Sequence, residues 1–265
     1  FNTAYSMVSG AFFSLSSIAA TIATIKPVLE MVKPLFEATP EISEGKRVVE
    51  RLSGGIELNN VSFRYGENMP LVVDNLSLKI RPGQYVALVG PTGCGKSTLM
   101  RLMLGFETPQ KGAIYYDGQD LASIDLKSLR RKTGVVMQNG KLFSGDIFSN
   151  ITISAPWLTV DDAWQAAELA GIAEDIRRMP MGMHTIISEG SGGVSGGQRQ
   201  RLMIARAIAP KPRILMFDEA TSALDNLTQK KVSVSLDSLK CTRIVIAHRL
   251  SAIRRCDRIV FIEDG

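Results

Sequence analysis

The sequence predicts an α/β fold with a mostly parallel core sheet, preceded by a long apolar helix. Short apolar strands alternate with helix-forming segments, as in QYVALVG, TGVVMQ, RILMFDE and TRIVIAH. Strands without polar alternation are typical of parallel sheets that helices cover on both faces. Ahead of them, IELNNVSFRY and LVVDNLSLKI flank a GENMP turn, and the first of these alternates apolar and polar residues. Such a pair predicts an antiparallel β subdomain.

Composition excludes several classes of protein. The 31 basic and 26 acidic residues give a net charge of +5 without a dense Lys/Arg tract, which disfavours nucleic acid as a partner. Cys94, Cys241 and Cys256 are too few and too scattered for a disulfide framework or a zinc site. His184 and His248 cannot by themselves form a metal centre. A reducing, cytoplasmic compartment fits this composition best.

The N-terminal segment differs from the rest of the chain. Residues 1–25 carry no charge and lack the basic start of a signal peptide. The stretch is long enough to span a bilayer, yet its Ser, Thr and Ala residues make it only moderately hydrophobic. It is therefore either an amphipathic helix on a soluble domain or the end of a membrane helix. We expect a helical segment at 1–38, a linker at 39–55 and a globular domain at 56–265.

A glycine-rich loop predicts a phosphate site. GPTGCGKS matches G-x-x-x-x-G-K-[ST], stands between a buried strand and a helix, and exposes backbone N–H groups to an anion. Lys96 would reach the β- and γ-phosphates and Ser97 would hold Mg²⁺. Cys94 is either a thiol made more acidic by the helix N-terminus or a small residue that fits. The residues expected to cradle nucleotide are Gly90, Pro91, Thr92, Gly93, Cys94, Gly95, Lys96, Ser97 and Thr98.

Polar residues end three further apolar strands, where open α/β sheets bind their ligands. Asp218 would hold Mg²⁺ through water, and Glu219 could accept a proton from an attacking water. Two adjacent acids can also form only a solvated turn. Gln138 and His248 occupy the same kind of position, and each is either catalytic or structural.

A second glycine-rich run, SGGVSGGQRQRLMIARAI, begins at Ser191. Gly196 and Gly197 precede a helix whose N-terminus is an anion site by the same physics as the first loop.

Together and in this order, these segments resemble the ATP-binding cassette of ABC transporters. GPTGCGKST is similar to the Walker A loop, Gln138 to the Q-loop glutamine, VSGGQ to the signature, ILMFDE to Walker B, SALD to the D-loop and His248 to the switch histidine. Cys94 departs from the commoner Ser. The resemblance covers about Ile56 to Gly265 and implies a P-loop NTPase cassette with a helical subdomain at about 140–210.

The resemblance also implies roles for the site residues. ATP and Mg²⁺ would be the cofactors, and the second cassette of a head-to-tail dimer would be the partner. Tyr65 would stack on adenine, although a core position is the alternative. Asp225 would lie at the dimer interface. The catalytic set implied is Lys96, Gln138, Glu219 and His248, the metal set is Ser97, Gln138 and Asp218, and the signature set that contacts nucleotide in trans is Ser195, Gly196, Gly197 and Gln198.

The apolar start, SGAFFSLSSIAATIATIKPVLEMVKPLFEATPE, resembles the cytoplasmic end of the last transmembrane helix of exporter-type half-transporters. A bacterial inner-membrane exporter with the cassette on its cytoplasmic face is then expected. ISEGSGGVSGG, with Glu189, resembles the segment that touches the coupling helices. MQNGKLFSGDIFSNI and AGIAEDIRRMPMGMHTIISEG are similar to bacteriocin or leader-peptide exporters of the nitrile-hydratase-leader microcin type.

Three alternatives to a peptide exporter stay open at this point. Lipid or drug-like compounds could be the cargo, because the cassette does not choose it. A soluble cassette acting on ribosomes or DNA is disfavoured by the single uninterrupted cassette and the apolar start. A P-loop protein that binds nucleotide without turnover is disfavoured by Glu219 and His248.

Overall fold

The computed structural model describes residues 1–38, 41, 45–188, 193–218, 226–247 and 253–263. The chain divides into two compact units, Phe1–Glu44 and Gly45–Gly265. The helices are α1 Asn2–Glu37, α2 Lys96–Met103, α3 Leu126–Arg130, α4 Ile147–Thr152, α5 Val160–Leu169, α6 Ala173–Arg177, α7 Gly196–Ile208 and α8 Asn226–Asp237. The strands are β1 Ile56–Phe63, β2 Val73–Ile80, β3 Tyr85–Val89, β4 Lys111–Tyr116, β5 Gln119–Asp120, β6 Thr133–Val136, β7 Gly145–Asp146, β8 Ile186–Ile187, β9 Ile214–Asp218, β10 Thr242–Ile246 and β11 Arg258–Phe261.

In the part of the N-terminal unit that the structure describes, residues 2–37 form the 36-residue helix α1, none of whose residues is buried. It is long and apolar enough to cross a membrane, as judged by length and composition alone. Five of its Ser and Thr hydroxyls donate to carbonyls one turn earlier, as Ser14 does to Gly10 at 3.0 Å and Thr21 does to Ser17 at 2.9 Å. Hydroxyls satisfied inside the helix cost less in an apolar environment.

Two main sheets build the second unit, as predicted. The five-stranded sheet has the order β11-β3-β10-β9-β6 and is parallel throughout. The four-stranded sheet has the order β2-β1-β4-β5 and is antiparallel. The α/β cassette architecture inferred from the strand pattern is therefore confirmed.

Apart from the exposed edge strand β11, the parallel sheet is buried on both faces, which explains its apolar strands. All five residues of β9 are buried. Ile214 and Met216 pack in one cluster with α2 and the antiparallel sheet, whereas Leu215 and Phe217 pack in another with helices α4 to α7. A strand that contributes to both cores cannot alternate apolar and polar residues.

Part of the expected linker lies against the cassette. Val49 and Leu52 are buried, and the Asp117 carboxylate accepts from the backbone N–H groups of Ser53 at 2.6 Å and Gly55 at 2.8 Å. Residues 39, 40 and 42–44 lie outside the described part of the chain, so the domain bounds stay a prediction.

Candidate active site

The candidate site lies at the carboxyl edge of the parallel sheet. In the strand register, Leu88 of β3 pairs with Ile246 of β10, and Ile246 pairs with Asp218 of β9. On the other side of β9, Val136 of β6 pairs with Phe217. The glycine loop after β3, the Walker B aspartate and the Q-loop segment after β6 therefore emerge along one edge, as the sequence predicts.

Glycine is required at two points of the first loop. Gly90 has φ of 154°, and a Cβ there would lie 2.0 Å from the carbonyl oxygen of Ile262. Gly95 has φ of 93°, and its Cβ would lie 2.7 Å from the carbonyl oxygen of Val72. A side chain at either position would collide with fixed backbone. The motif therefore requires glycine at these two positions, because the loop backbone approaches the carbonyl oxygens of Ile262 and Val72 there.

The loop surrounds the ammonium group of Lys96. This side chain is buried and its Nζ donates to the carbonyl oxygens of Gly90 at 2.9 Å and Pro91 at 2.6 Å. The Cys94 Sγ accepts from the same ammonium at 3.5 Å, so the thiol lies inside the loop. Thr92 and Gly93 are exposed at its crest. The loop therefore holds a positive charge at its centre.

Helix α2 adds backbone donors to this charge. Gly95 precedes it in the left-handed conformation and, within the described loop, no side chain caps the helix. The first amides of α2, at Lys96, Ser97 and Thr98, have no intrahelical acceptor. Together with the lysine they form an anion site suited to phosphate.

Tyr65 stands beside this loop and not in the core. Its ring is 51% exposed and packs edge-on against buried Phe63, with centroids 4.9 Å apart. Its hydroxyl lies 3.1 Å from the hydroxyl oxygen of Thr98 in the first turn of α2. The alternative reading of Tyr65 as a core residue is wrong, because β1 contains register shifts on both sides of Val61 and ends at Phe63.

The remaining edge residues have contrasting environments. Asp218 is buried at the end of β9, and Gln138 is exposed in the turn after β6. The oxygens of Asp218 and of exposed Ser97 are donors of the kind that Mg²⁺ prefers. Glu219, His248 and Asp225 lie outside the described residues, as does Glu189.

The second glycine run begins α7 with a reciprocal cap. The Ser195 hydroxyl accepts from the backbone N–H of Gln198 at 3.2 Å, and the side-chain Oε1 of Gln198 accepts from the backbone N–H of Ser195 at 2.9 Å. The Gln198 amide also donates to Asp175 at 2.9 Å, and Arg201 donates to the other oxygen of Asp175 at 2.9 Å. Gln198, expected to contact nucleotide, is therefore occupied in holding the helix start.

The glycines of this cap remain available to a ligand. Gly196 is exposed, and a Cβ built there would have nothing within 4 Å. Gly197 follows as the second residue of the helix. The N-terminus of α7 is thus an open anion site whose side chains are already paired within the cap.

The Walker A loop and the N-terminus of α7 are far apart in space within one chain. Gly134 at the start of β6 approaches Ala207 so closely that a Cβ would lie 2.3 Å from its carbonyl oxygen, whereas Gly140, beyond the end of β6, approaches Met203. Helix α7 therefore runs antiparallel to β6, and its N-terminus extends roughly 10 Å past Met203. Strand β6 lies three positions from β3, or about 14 Å across the sheet.

A group of hydrogen bonds around Arg206, which the motif analysis missed and which we call the clasp, joins α7 to the segment after Gln138. Arg206 donates to the backbone oxygen of Asn150 at 2.8 Å, to its side-chain oxygen at 2.7 Å and to the carbonyl of Lys141 at 3.0 Å. Asn150 is buried and also exchanges hydrogen bonds with the backbone of Phe143 at 2.8 and 2.9 Å. Burial lowers the pKa of the Arg206 guanidinium.

A model of the ABC transporter family matches residues 73–222, more than half of the chain, and this range contains both glycine loops. The chain belongs to the ABC transporter family. Its second unit is the ATP-binding cassette of that family, which is an ATPase domain.

Several relatives resemble the chain over most of its length. The alpha-hemolysin translocation ATP-binding protein HlyB of Escherichia coli is 40% identical over 234 residues, which are 87% of this chain and 33% of that protein. The mycobactin import ATP-binding/permease protein IrtB of Mycolicibacterium thermoresistibile is 36% identical over 258 residues, 96% of this chain and 44% of that one. The chain thus spans less than half the length of these relatives.

A solved structure supports the same assignment. The structure of a bacterial Atm1-family ABC exporter with ATP bound superposes with a TM-score of 0.84 at 35% identity, covering 91% of this chain and 42% of that one. The exporter-type cassette predicted from the motifs is confirmed. The finer resemblance to bacteriocin exporters stays a prediction.

Proposed function

We propose that the chain binds ATP and Mg²⁺ between two cassettes arranged head to tail, and that hydrolysis there powers export across a bacterial inner membrane. The proposed dimer rests on the distance, within one chain, between the Walker A loop and the N-terminus of α7, the helix that begins at the signature. A ligand held by Lys96 is not reached by the α7 amides of the same chain. A second chain, related by a two-fold axis, would bring each signature to the other's loop.

The trans contacts would be made by two backbone amides and one hydroxyl. The amides of Gly196 and Gly197 and the hydroxyl of Ser195 would face the γ-phosphate held by the partner's Walker A loop. Tyr65 would stack on adenine with its exposed ring, whose hydroxyl lies 3.1 Å from the hydroxyl oxygen of Thr98. Asp225 would lie at the interface.

Hydrolysis would use the carboxyl edge. Lys96 would leave its loop carbonyls for the β- and γ-phosphates and neutralise developing charge. Glu219 would orient and deprotonate the attacking water, and His248 would contact the γ-phosphate. Ser97, Gln138 and, through water, Asp218 would hold Mg²⁺, which supplies further positive charge at the phosphates when it is bound.

Coupling to transport would follow from opening and closing of the dimer. Loss of the γ-phosphate removes the group that joins the Walker A loop to the partner's signature. The exposed, apolar and membrane-length helix α1 supports attachment to a membrane domain in the same polypeptide. The cassette would then lie at the cytoplasmic face, with no nucleic acid partner.

Peptide is the cargo we favour, with lipid or drug-like compounds as the alternative. The translocation protein for alpha-hemolysin among the relatives supports this choice, as do the segments similar to leader-peptide exporters. The full-length gene product tests it: six membrane helices ahead of Phe1 and a peptidase domain before them are expected. A gene product without membrane helices would contradict export.

The decisive variant for the catalytic role is Glu219→Gln. In detergent, the 265-residue variant chain should bind ATP, accumulate as a dimer on size exclusion and release little phosphate, because ATP stays between the cassettes. Lys96→Ala is the matched control and should neither bind ATP at this site nor dimerise. Wild-type phosphate release by the glutamine variant would refute the assignment of Glu219. Absence of phosphate release from the wild-type chain and from the full-length protein would favour a binding-only protein.

A further inference from the structure

A basic groove of about 820 Å³ lies at the amino edge of the parallel sheet, away from the Walker A loop. Its floor is formed where β6 and β9 begin, since Thr133 pairs with Ile214. From Ile214 to Asp218 the strand covers about 13 Å, which separates the groove from the carboxyl edge. Five cations and one exposed tryptophan line it, namely Arg51, Arg131, Lys132, Lys211, Arg213 and Trp157.

The five cations of the groove lack close carboxylate partners. Among the residues that the structure describes, none of the five cations has a carboxylate partner within 4.0 Å. Glu50 lines the groove, and Asp162 outside it is near enough to Lys211 for a weak electrostatic interaction, so the cations still outnumber the acids. Five like charges converging on one concavity repel one another, and an anionic ligand relieves that repulsion.

The walls are held in place by backbone hydrogen bonds. The N–H of Arg213 donates to the carbonyl of Lys132 at 2.9 Å, and the N–H of Lys211 donates to the carbonyl of Ile208 at 2.9 Å. The neighbouring segment is held by the N–H of Val49, which donates to Ser128 at 2.9 Å. The backbone from which the cations project is therefore fixed, so that only their side chains need to be ordered on binding.

Trp157 supplies an aromatic surface next to the charge. Its side chain is 64% exposed, and the Arg131 guanidinium lies 6.0 Å from the ring centroid. An exposed indole beside a guanidinium is a stacking platform for a nucleobase, and clustered cations suit phosphates. The volume is that of a small-molecule site.

We propose that this groove binds a nucleoside polyphosphate, with the phosphates on Lys132, Lys211 and Arg213 and the base on Trp157. It is a nucleotide site separate from the one that hydrolyses ATP, at the opposite edge of the same sheet. A bounded concavity walled by four separate segments favours this compact ligand over an extended acidic peptide.

Tryptophan fluorescence tests the proposal directly. The chain has two tryptophans, so Trp164→Phe leaves Trp157 as the reporter. In the 265-residue chain in detergent, ATP should quench Trp157 emission to saturation, and the quench should persist in Lys96→Ala. Loss of the quench with Lys96→Ala would show that the signal comes from the Walker A site and would overturn the proposal.

Charge reversal supplies the matched comparison. Arg131→Glu with Arg213→Glu should weaken ATP binding at Trp157 at least tenfold. Arg178→Glu with Lys231→Glu, at exposed positions outside the groove, changes net charge equally and should leave binding within twofold. Equal effects of the two double variants, or no quench at all, would refute the site.

Two other ligands identify the chemistry. Inorganic tripolyphosphate should bind at least fivefold more weakly than ATP, because it has no base to stack on Trp157. Equal or tighter binding of tripolyphosphate would overturn the nucleoside assignment. Tighter binding of an oligoglutamate peptide would show that the groove is a peptide surface instead.

Discussion

Replacing Arg206 by Leu should unfold the cassette at a markedly lower denaturant concentration. The change removes three charge-assisted hydrogen bonds, two to Asn150 and one to Lys141, while keeping an aliphatic side chain in place. The Asn150 backbone oxygen loses its charged donor, whereas the Asn150 side-chain oxygen keeps the N–H of Phe143 and the Lys141 carbonyl is exposed to water. Because a buried acceptor without a donor costs about 1–3 kcal/mol, we expect a loss of about 2–3 kcal/mol, a large share of a domain's stability of roughly 5–15 kcal/mol.

Urea unfolding of the 265-residue chain in detergent measures the loss. Arg206→Lys keeps the charge and one of the bonds, so it should lose about half as much. Arg178→Leu, at an exposed position, serves as the control and should change stability by no more than about 0.5 kcal/mol. A double-mutant cycle of Arg206→Leu with Asn150→Ala should show a coupling of at least about 1 kcal/mol. A loss below about 1 kcal/mol for Arg206→Leu would refute the clasp.

Three further predictions concern the nucleotide site. Gly90→Ala should abolish ATP binding measured by calorimetry, because its Cβ would lie 2.0 Å from the Ile262 carbonyl oxygen. The control Gly118→Ala, with a positive φ but no neighbour within 4 Å, should leave ATP binding unchanged, and normal binding by the Gly90 variant would contradict the loop geometry. A thiol reagent should inactivate phosphate release through Cys94, with ATP protecting, since the Sγ lies 3.5 Å from the Lys96 ammonium; inactivation that ATP does not slow, or that persists in Cys94→Ser, would place the reactive thiol elsewhere. Tyr65→Ala should weaken ATP binding roughly 5- to 100-fold through loss of stacking, while Tyr65→Phe, which loses only the contact with Thr98, should weaken it less than threefold; equal losses would assign the effect to the hydroxyl.

The parallel sheet was predictable because its burial on both faces is visible as uninterrupted apolar runs. The spacing of Gly90, Gly95 and Lys96 was equally informative, since the loop allows few alternatives at those positions. The position of Tyr65 was ambiguous because the register shifts in β1 leave no trace in an alternating sequence. A period of two extends formally through Tyr65, whereas the strand itself ends at Phe63.

Two interactions at α7 were not predictable from the motifs. Gln198 belongs to a signature associated with nucleotide, yet its side chain caps α7 and reaches Asp175, which is distant in sequence. Arg206 lies between buried Ala205 and Ala207. A lone arginine in such an apolar stretch was a usable signal for a buried polar partner, although only the fold could identify Asn150 as that partner.

The cap of α7 also bears on which chains can pair. Apart from the Ser195 hydroxyl, its side chains are paired within the chain that carries them, so the surface offered across the interface consists mainly of peptide amides. Backbone amides are alike whichever residue they belong to, so any chain with the same turn at its helix start would present an equivalent surface. The ATP site therefore imposes no choice between a like and an unlike partner. Selection between them has to be encoded in other surfaces of the two polypeptides.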